Sequence, residues 1–469
     1  MLTTTADKSS AGSNWLTINI LPDDALLEIF NIYLVEESRT QKWHTIVHVC
    51  RRWRRIVFAS PRRLDLRILC TTRTEVKALH IWPTLPIQVW AARGRWEGAD
   101  NIVAALEHSD RICQILLDNP PSSLLERIAT AMEVVFPALT NLRLCASSRD
   151  KTVPPVFSEG FLGGSAPRLR SCKLSGVPIP RIWKIFLSAN HLIDVRLEHI
   201  PHSGYVSPEA MVTALSAASN LKELELGFQS PRSRPDRGGS LPPPLTRITL
   251  PALTLFRFYG VSEYIEYFVS LIDVPLLRHV NITFFNQLVF DTPHLHAFFA
   301  RTNMFKAHKR AAMVFDKHGV YFKLGPGGFL WQFSCTLRIS CTKLDWQLSS
   351  MAQVCGSSSP PFSTLERLDI REDSFPPHWQ DEEDVEDTQW LDLLRPFVAL
   401  KDLHLVKDLA RLVAPALREL ANRGSVTEVL PTLQNLVIDG IQPSSRTQEA
   451  VLQFVSARQL SAHPVAVHS

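Results

Sequence analysis

Nothing along the 469 residues marks a catalyst: no zinc motif, P-loop, G-x-S-x-G elbow or paired-glycine dinucleotide fingerprint stands at a usable position. The eight cysteines include no C-x-x-C pair and no dense module, so a secreted disulfide scaffold is excluded and reduced, buried thiols are expected. Glycine is scarce, 19 against 32 prolines without a period, which excludes collagen. A membrane span needs about 20 apolar residues. The most apolar window, Ile265 to Leu277, is interrupted by Glu266, Asp273 and Pro275. Met1 to Asn14 lacks the basic start and apolar stretch of a signal peptide and reads as a disordered tail. Charge of one sign is also missing. With 50 basic and 46 acidic residues the net charge is +4, too little to steer nucleic acid or a membrane globally. A soluble intracellular protein is expected, cytoplasmic, nuclear or both, with no cofactor, no metal and no membrane partner.

What is present is the composition of a folded, loop-rich chain, 45% hydrophobic and 20% charged. At roughly 150 residues per domain its length suggests about three units, or one small domain followed by a long repeat array. From Leu16 to Leu34, Asp23 can cap a helix whose apolar positions Leu26, Leu27, Ile29, Phe30 and Leu34 follow helical spacing, with Pro22 fixing the chain before it. A second helix is read from Trp43 through Trp53 to Val57, stopped by Ser60-Pro61. Both are apolar on more than one side, so one face can serve the core and another a partner.

The segments LPDDALLEIFNIYL and VCRRWRRIVFASPRRLDL together resemble an F-box, whose pattern is Leu-Pro-acidic-acidic, a helix, then Val-Cys-basic-basic-Trp-basic-basic-apolar. The resemblance covers about 45 residues, and the connection VEESRTQKWHTIVH departs from it in length and in lacking a Leu-rich centre. It implies that Leu21, Pro22, Ile29, Phe30, Val49, Cys50 and Trp53 lie at or beneath a surface that binds a Skp1-like adaptor and, through it, a cullin. By the same resemblance the chain is a non-catalytic substrate receptor of a ubiquitin ligase, or an adaptor-bound protein acting outside ubiquitin transfer. Arg51, Arg52, Arg54, Arg55, Arg62, Arg63 and Arg67 form a basic cluster that reads as a solvated helix face, so nucleic acid is not the expected partner.

Downstream, an apolar-x-x-apolar-x-apolar triplet recurs. Its copies begin at Ile112, Leu139, Leu169, Leu192, Leu221, Leu253, Leu277, Leu365, Leu400 and Leu433. Five carry proline two residues earlier, at Pro137, Pro167, Pro251, Pro275 and Pro431. Offsets of three and five from the start share one face of a strand, while the first apolar residue enters the core from the preceding turn. Such a pattern is that of irregular leucine-rich repeats, one short parallel strand per unit with a return segment behind it. The expected fold class is α/β: a small helical domain, then a solenoid with a curved, mostly parallel sheet. Its divisions are a tail over 1–14, helices over 15–62, a linker and cap over 63–110, repeats over 111–460 and a tail over 461–469.

LPIQVW at Leu85 to Trp90 reads as a strand and Asp100 to Leu106 as a helix start; Pro208 to Ser219 and Val261 to Ile272 read as helical returns. Between Ile282 and Leu365 the triplet fades; a hairpin turning at Lys317-His318-Gly319 and a strand in FSCTLRIS are read as degenerate repeats. Pro231 to Pro244 and Gly325 to Gly328 read as loop and turn, and Asp381 to Asp387 as an acidic solvated loop. His294 and His296 are placed on one face of a strand as packing histidines, and Cys335 and Cys341 in the core. Exposed strand positions Arg143, Lys173, Arg196, Glu225 and Arg257 form an expected, mainly basic strip for an unidentified target protein, continued by Asp369 and His404.

Overall fold

The computed structural model describes residues 18–35, 43–74, 79, 81–92, 94, 96–146, 154–233, 247–325, 334–356, 362–373, 386–424, 426–439 and 445–468. The expected tail over 1–14, residues 36–42 of the helix connection, most of the loop 231–244, the turn residues 326–328 and acidic residues 381–385 lie outside the described residues.

Three helices open the chain: α1 (Asp23–Val35), α2 (Trp43–Val49) and α3 (Arg51–Ala59). The single helix expected from Trp43 to Val57 is broken at Cys50. Its backbone is extended (φ −158°, ψ 168°) and its thiol accepts the Trp53 N–H at 3.4 Å, which ends one helix and caps the next. Apolar spacing ran through the break because Ile46 and Val47 of α2, and Ile56 and Val57 of α3, enter the same core. Asp23, expected to cap α1, is instead its first residue, and the carbonyl of Pro22 accepts the Leu26 N–H at 3.1 Å.

The sheet begins at once, in β1 (Ile68–Cys70) and β2 (Ile87–Ala91), so the span expected as linker and cap contributes two strands, β2 where LPIQVW predicts one and β1 where none is expected. Then follow β3 (Ile112–Asp118), β4 (Asn141–Cys145), β5 (Ser171–Ser175), β6 (Asp194–Ile200), β7 (Glu223–Phe228), β8 (Ile248–Thr249), β9 (Leu255–Gly260), β10 (Ile272–Asp273) and β11 (His279–Phe284). After these come β12 (Arg310–Asp316), β13 (Gly319–Leu324), β14 (Cys335–Ile339), β15 (Arg367–Glu372), β16 (Asp402–Val406), β17 (Asn435–Asp439) and β18 (Ala466–His468). Sixteen of them make one sheet in the order β1 to β7, β9, β11, β14, β13, β12, β15 to β18; β8 and β10 pair separately. All pairings of the large sheet are parallel except those of β13 with β12 and β14.

Helical returns stand between strands, among them α4 (Asp100–Leu106), α5 (Ser122–Ala131), α6 (Ile182–Ser188), α7 (Pro208–Leu215), α8 (Ser262–Ser270) and α9 (Pro293–Arg301). Beyond α10 (Asn303–Lys306) come α11 (Leu344–Cys355), α12 (Asp387–Leu394), α13 (Lys407–Asn422) and α14 (Ser445–Leu460).

The triplet explains why these strands stack. Every apolar position of the ten triplets is at most 4% exposed, in one core that continues from the helical bundle to the last repeat. Each proline of the five copies occupies the second position of a four-residue turn, as in Phe136 to Leu139, where the Leu139 N–H meets the Phe136 carbonyl at 3.2 Å. Proline presets φ at that position, so the turn delivers its leucine to the core. Adjacent units are tied by one carbonyl that accepts two amides of the next: Thr140 from Arg170 and Ser171, Arg170 from Ile193 and Asp194, Ile193 from Lys222 and Glu223. These backbone bonds hold neighbouring repeats together where the asparagine of a standard repeat is missing. Because each unit touches mainly its neighbours, burial accumulates along the array.

Three expectations fail. Among the described residues of the span from Ile282 to Leu365 the strands are not degenerate repeats: β12, β13 and β14 form an antiparallel meander inserted in reverse order, so β14 lies beside β11 and β12 beside β15. The hairpin itself stands where Lys317-His318-Gly319 placed it, but sequence adjacency gave no sign that the chain steps forward and folds back. His294 and His296 lie on α9 rather than a strand, because Pro293 occupies the first helical position, where its missing N–H costs nothing. The tail expected over 461–469 carries β18, anchored by buried Val465 and by the Ala466 N–H on the Gln434 carbonyl at 2.8 Å.

Candidate binding surfaces

The helical bundle packs Leu26, Leu27, Phe30, Trp43, Ile46, Val47, Ile56 and Val57 inward. Of the residues named by the resemblance, Phe30 is only 2% exposed and meets the Trp53 ring at 4.8 Å between centroids, so both support the surface from beneath. Leu21, Cys50 and Trp53 are half-buried, and Pro22 is exposed. Ile29 and Val49 are 43% and 59% exposed. Sequence reading missed Ile20, Ile32 and Tyr33, which are 67%, 59% and 41% exposed. Ile29, Ile32 and Tyr33 are spaced by three and four and therefore share one face of α1. A second apolar face is an expectation of the sequence, and the spacing of Ile29, Ile32 and Tyr33 is the signal that would have placed it on α1.

The arginine cluster is largely engaged within the bundle. Arg52 pairs with Asp23 at 2.7 Å and donates to the Leu21 carbonyl at 2.6 Å, Arg63 pairs with Glu28, and Arg67 pairs with Asp65 at 2.6 Å. Arg54 donates to the Val47 carbonyl at 3.0 Å. An aromatic group fixes the bundle to the sheet: Trp82 stacks on His44 at 4.8 Å and meets Trp43 edge-on at 5.0 Å, while Trp43 donates to the Arg67 carbonyl at 2.9 Å. Burial, then the neighbouring His48, depresses the His44 pKa.

On the sheet's polar face, Arg143, Lys173, Arg196, Glu225 and Arg257 stand in register on β4, β5, β6, β7 and β9. The structure brings all five together as one row, but the row is not a free basic strip. Arg143 meets Asp118 at 2.9 Å, Lys173 meets Glu198 at 2.7 Å, and Arg257 meets Glu225 at 3.3 Å. Arg196 lies between Asp194 at 2.9 Å and Glu223 at 2.8 Å. Four cations thus face five carboxylates, an ion-pair ladder without a basic excess. Further along, His404 bridges Asp369 at 3.1 Å and Asp439 at 2.7 Å, and Arg367 meets Asp369 at 3.1 Å.

Among the described residues no group of three or more His, Cys, Asp and Glu is arranged to hold a metal ion, and no helix is long and apolar enough to cross a membrane. None of the eight cysteines is paired, and burial pushes the thiols of Cys172, Cys335 and Cys355 far up, away from reactive thiolate.

No protein-family model and no curated protein matches the chain. Among solved structures, the leucine-rich repeat-containing protein LegL7 from Legionella pneumophila is similar over 89% of this chain and 95% of its own, at 10% identity and a TM-score of 0.26. The repeat architecture described above rests on strand register, turns and burial in this chain.

Proposed function

We propose that this protein is a two-ended, non-catalytic binding protein: its three amino-terminal helices dock a Skp1-like adaptor, and its sheet presents a target protein for ubiquitin transfer by other subunits. The observation that carries this reading is the outward face of α1, where Ile29 and Ile32 are exposed while Leu26, Leu27 and Phe30 of the same helix are buried in the bundle. A small domain seldom leaves such a face in water without a partner. The F-box pattern around Leu21, Pro22, Val49, Cys50 and Trp53 names the partner. Holding target and transfer machinery on one rigid body raises their effective concentration, and the Trp43–His44–Trp82 contact supplies rigidity between the two ends.

A nucleic-acid reading draws little support from the arginine cluster, three of whose seven members pair closely with Asp23, Glu28 and Asp65. The test is affinity capture of the full chain and of Ile29→Asp/Ile32→Asp. The reading requires adaptor and cullin with the first and neither with the second, at unchanged melting temperature. Adaptor without cullin would assign a role outside ubiquitin transfer; equal capture by both proteins would reject the docking face.

A further inference from the structure

The sheet carries unpaired positive charge one row away from the ladder, where the chain enters each strand. Thr140, Arg170, Ile193, Lys222, Thr254 and Arg278 each stand one residue before a strand, β4, β5, β6, β7, β9 and β11 in turn. Backbone bonds string them together: the carbonyl of each accepts the N–H of the next at 2.8 or 2.9 Å. Every second member is basic. Arg170, Lys222 and Arg278 are exposed, and their side chains form no ion pair or hydrogen bond among the described residues.

The turn segments that lead into this row, 166–170, 189–193, 218–222, 250–254 and 274–278, contain Arg168 besides the three cations and no aspartate or glutamate. Asp194 and Glu223, the next residues on β6 and β7, are both held by Arg196, at 2.9 and 2.8 Å. The cations do not simply answer helix dipoles, which favour positive charge at a helix C-terminus. Helix α6 ends at Ser188 and is followed by the uncharged Ile193, whereas between β4 and Arg170 the described residues hold no α-helix. What the row shares is its place on the edge of the sheet and its alternation.

Neighbouring strands lie about 4.8 Å apart, so cations on alternate strands are roughly 10 Å apart. A polyproline II segment, with three residues per turn and a rise of about 3.1 Å, returns the same face every ~9.3 Å. An acidic residue at every third position of such a segment meets each cation in turn. Single-stranded nucleic acid is held on aromatic platforms for its bases; the exposed large apolar side chains in the turn segments are Ile193 and Leu276, neither aromatic. An anionic membrane is drawn by cations clustered over a surface rather than strung along one edge. We propose that Arg170, Lys222 and Arg278 form a docking rail for an extended acidic segment of the polypeptide held on the sheet, with a carboxylate at every third residue. This rests on the partner-binding reading of the sheet and adds its chemistry: the acidic segment runs along the strand-entry edge and leaves the ion-pair ladder intact.

Fluorescence anisotropy of the full chain with three labelled peptides tests the rail: Glu-Pro-Pro repeated, the same residues with the glutamates contiguous, and Gln-Pro-Pro repeated. The spaced glutamate peptide should bind and weaken with salt, the contiguous one should bind at least about threefold weaker, and the glutamine one at least about tenfold weaker. Arg170→Gln, Lys222→Gln and Arg278→Gln should each weaken binding about threefold and together about 30-fold, while Arg446→Gln on α14 should not. Melting temperature reports folding, and replacing exposed, unpaired side chains should leave it unchanged; if the triple variant loses it, the single variants decide. No binding of the spaced peptide up to millimolar concentration, equal binding of all three peptides or of the spaced and contiguous ones, or full binding by the folded variants would overturn the rail. Tighter binding of a thymidine oligonucleotide of equal charge, or of vesicles of phosphatidylcholine and phosphatidylserine in equal parts, lost in the same variants, would overturn it in favour of nucleic acid or membrane. The broader reading fails separately, if the full chain captures no adaptor whatever the peptides do.

Discussion

Glu266 and His296 give the array opposing responses to pH, and separating them is a quantitative test of how α8 and α9 are joined. The Glu266 carboxylate on α8 accepts the His294 and Leu295 N–H groups at 2.8 Å each, closing the first turn of α9. Burial nevertheless wins over those two bonds and pushes its pKa from the ordinary 4.5 up to about 7, with Asp291 adding in the same direction. The native state therefore binds more protons than the unfolded chain between these values, and stability falls as pH rises through the window. At 1.36 kcal/mol per unit the loss is about 3 kcal/mol. His296, buried on α9 with its Nε2 at 3.2 Å from the Thr292 hydroxyl, is depressed from 6.5 to about 4, chiefly by burial. Its sign is opposite: the unfolded chain binds the extra proton, so stability rises from pH 4 to 6.5, again by about 3 kcal/mol. The two slopes nearly cancel in the natural protein from pH 4.5 to 6.5, and single variants expose them. Relative to the natural protein, Glu266→Gln should gain about 3 kcal/mol as pH rises from 4.5 to 7.5, and His296→Gln should lose a similar amount as pH rises from 4.5 to 6.5, because the downward slope of Glu266 is then unmasked. Only the change with pH is diagnostic, because each substitution also has a fixed cost. Denaturant midpoints at four pH values suffice. A pH-independent difference for Glu266→Gln, or one of opposite sign, would refute the reasoning.

Other outcomes follow from the packing. A Cβ on Gly319 would lie 2.2 Å from the Ile339 carbonyl oxygen, so Gly319→Ala should push β13 from β14 and lower the melting temperature, with amide exchange rising first in the meander. Arg458, 1% exposed, donates to the carbonyls of Val426, Pro431 and Leu433, so Arg458→Met should cost about 3 kcal/mol, with lost protection confined to β17 and β18. Phe30→Ala empties the space beneath Trp53 and should destabilise the bundle by about 3–5 kcal/mol, read as a separate early unfolding step.

Much of the fold was legible because the triplet maps directly onto burial: one residue enters from a turn and two share a strand face. LPIQVW and the returns at Pro208 and Val261 were readable for the same reason, as local periodicity reports local structure. The reversed order of β12, β13 and β14 was not, since pairing between β11 and β14 is a long-range choice with no local signature. Cys50 hid a helix break because an extended residue can interrupt the backbone without interrupting the apolar pattern. The polar row from Arg143 to Arg257 was located correctly, but its charge balance depends on Asp118, Asp194, Glu198 and Glu223, whose proximity appears only once the strands are in register.

The central claim is that the helices at the start of the chain present an apolar surface to a Skp1-like adaptor. Calorimetric titration of purified adaptor into the full chain tests it most directly. The account predicts binding that changes little with added salt, has a negative heat-capacity change, and weakens at least about 30-fold in Ile29→Asp/Ile32→Asp, the equivalent of about 2 kcal/mol of lost apolar burial. No heat of binding from a folded protein, or an affinity indifferent to both substitutions, would contradict it.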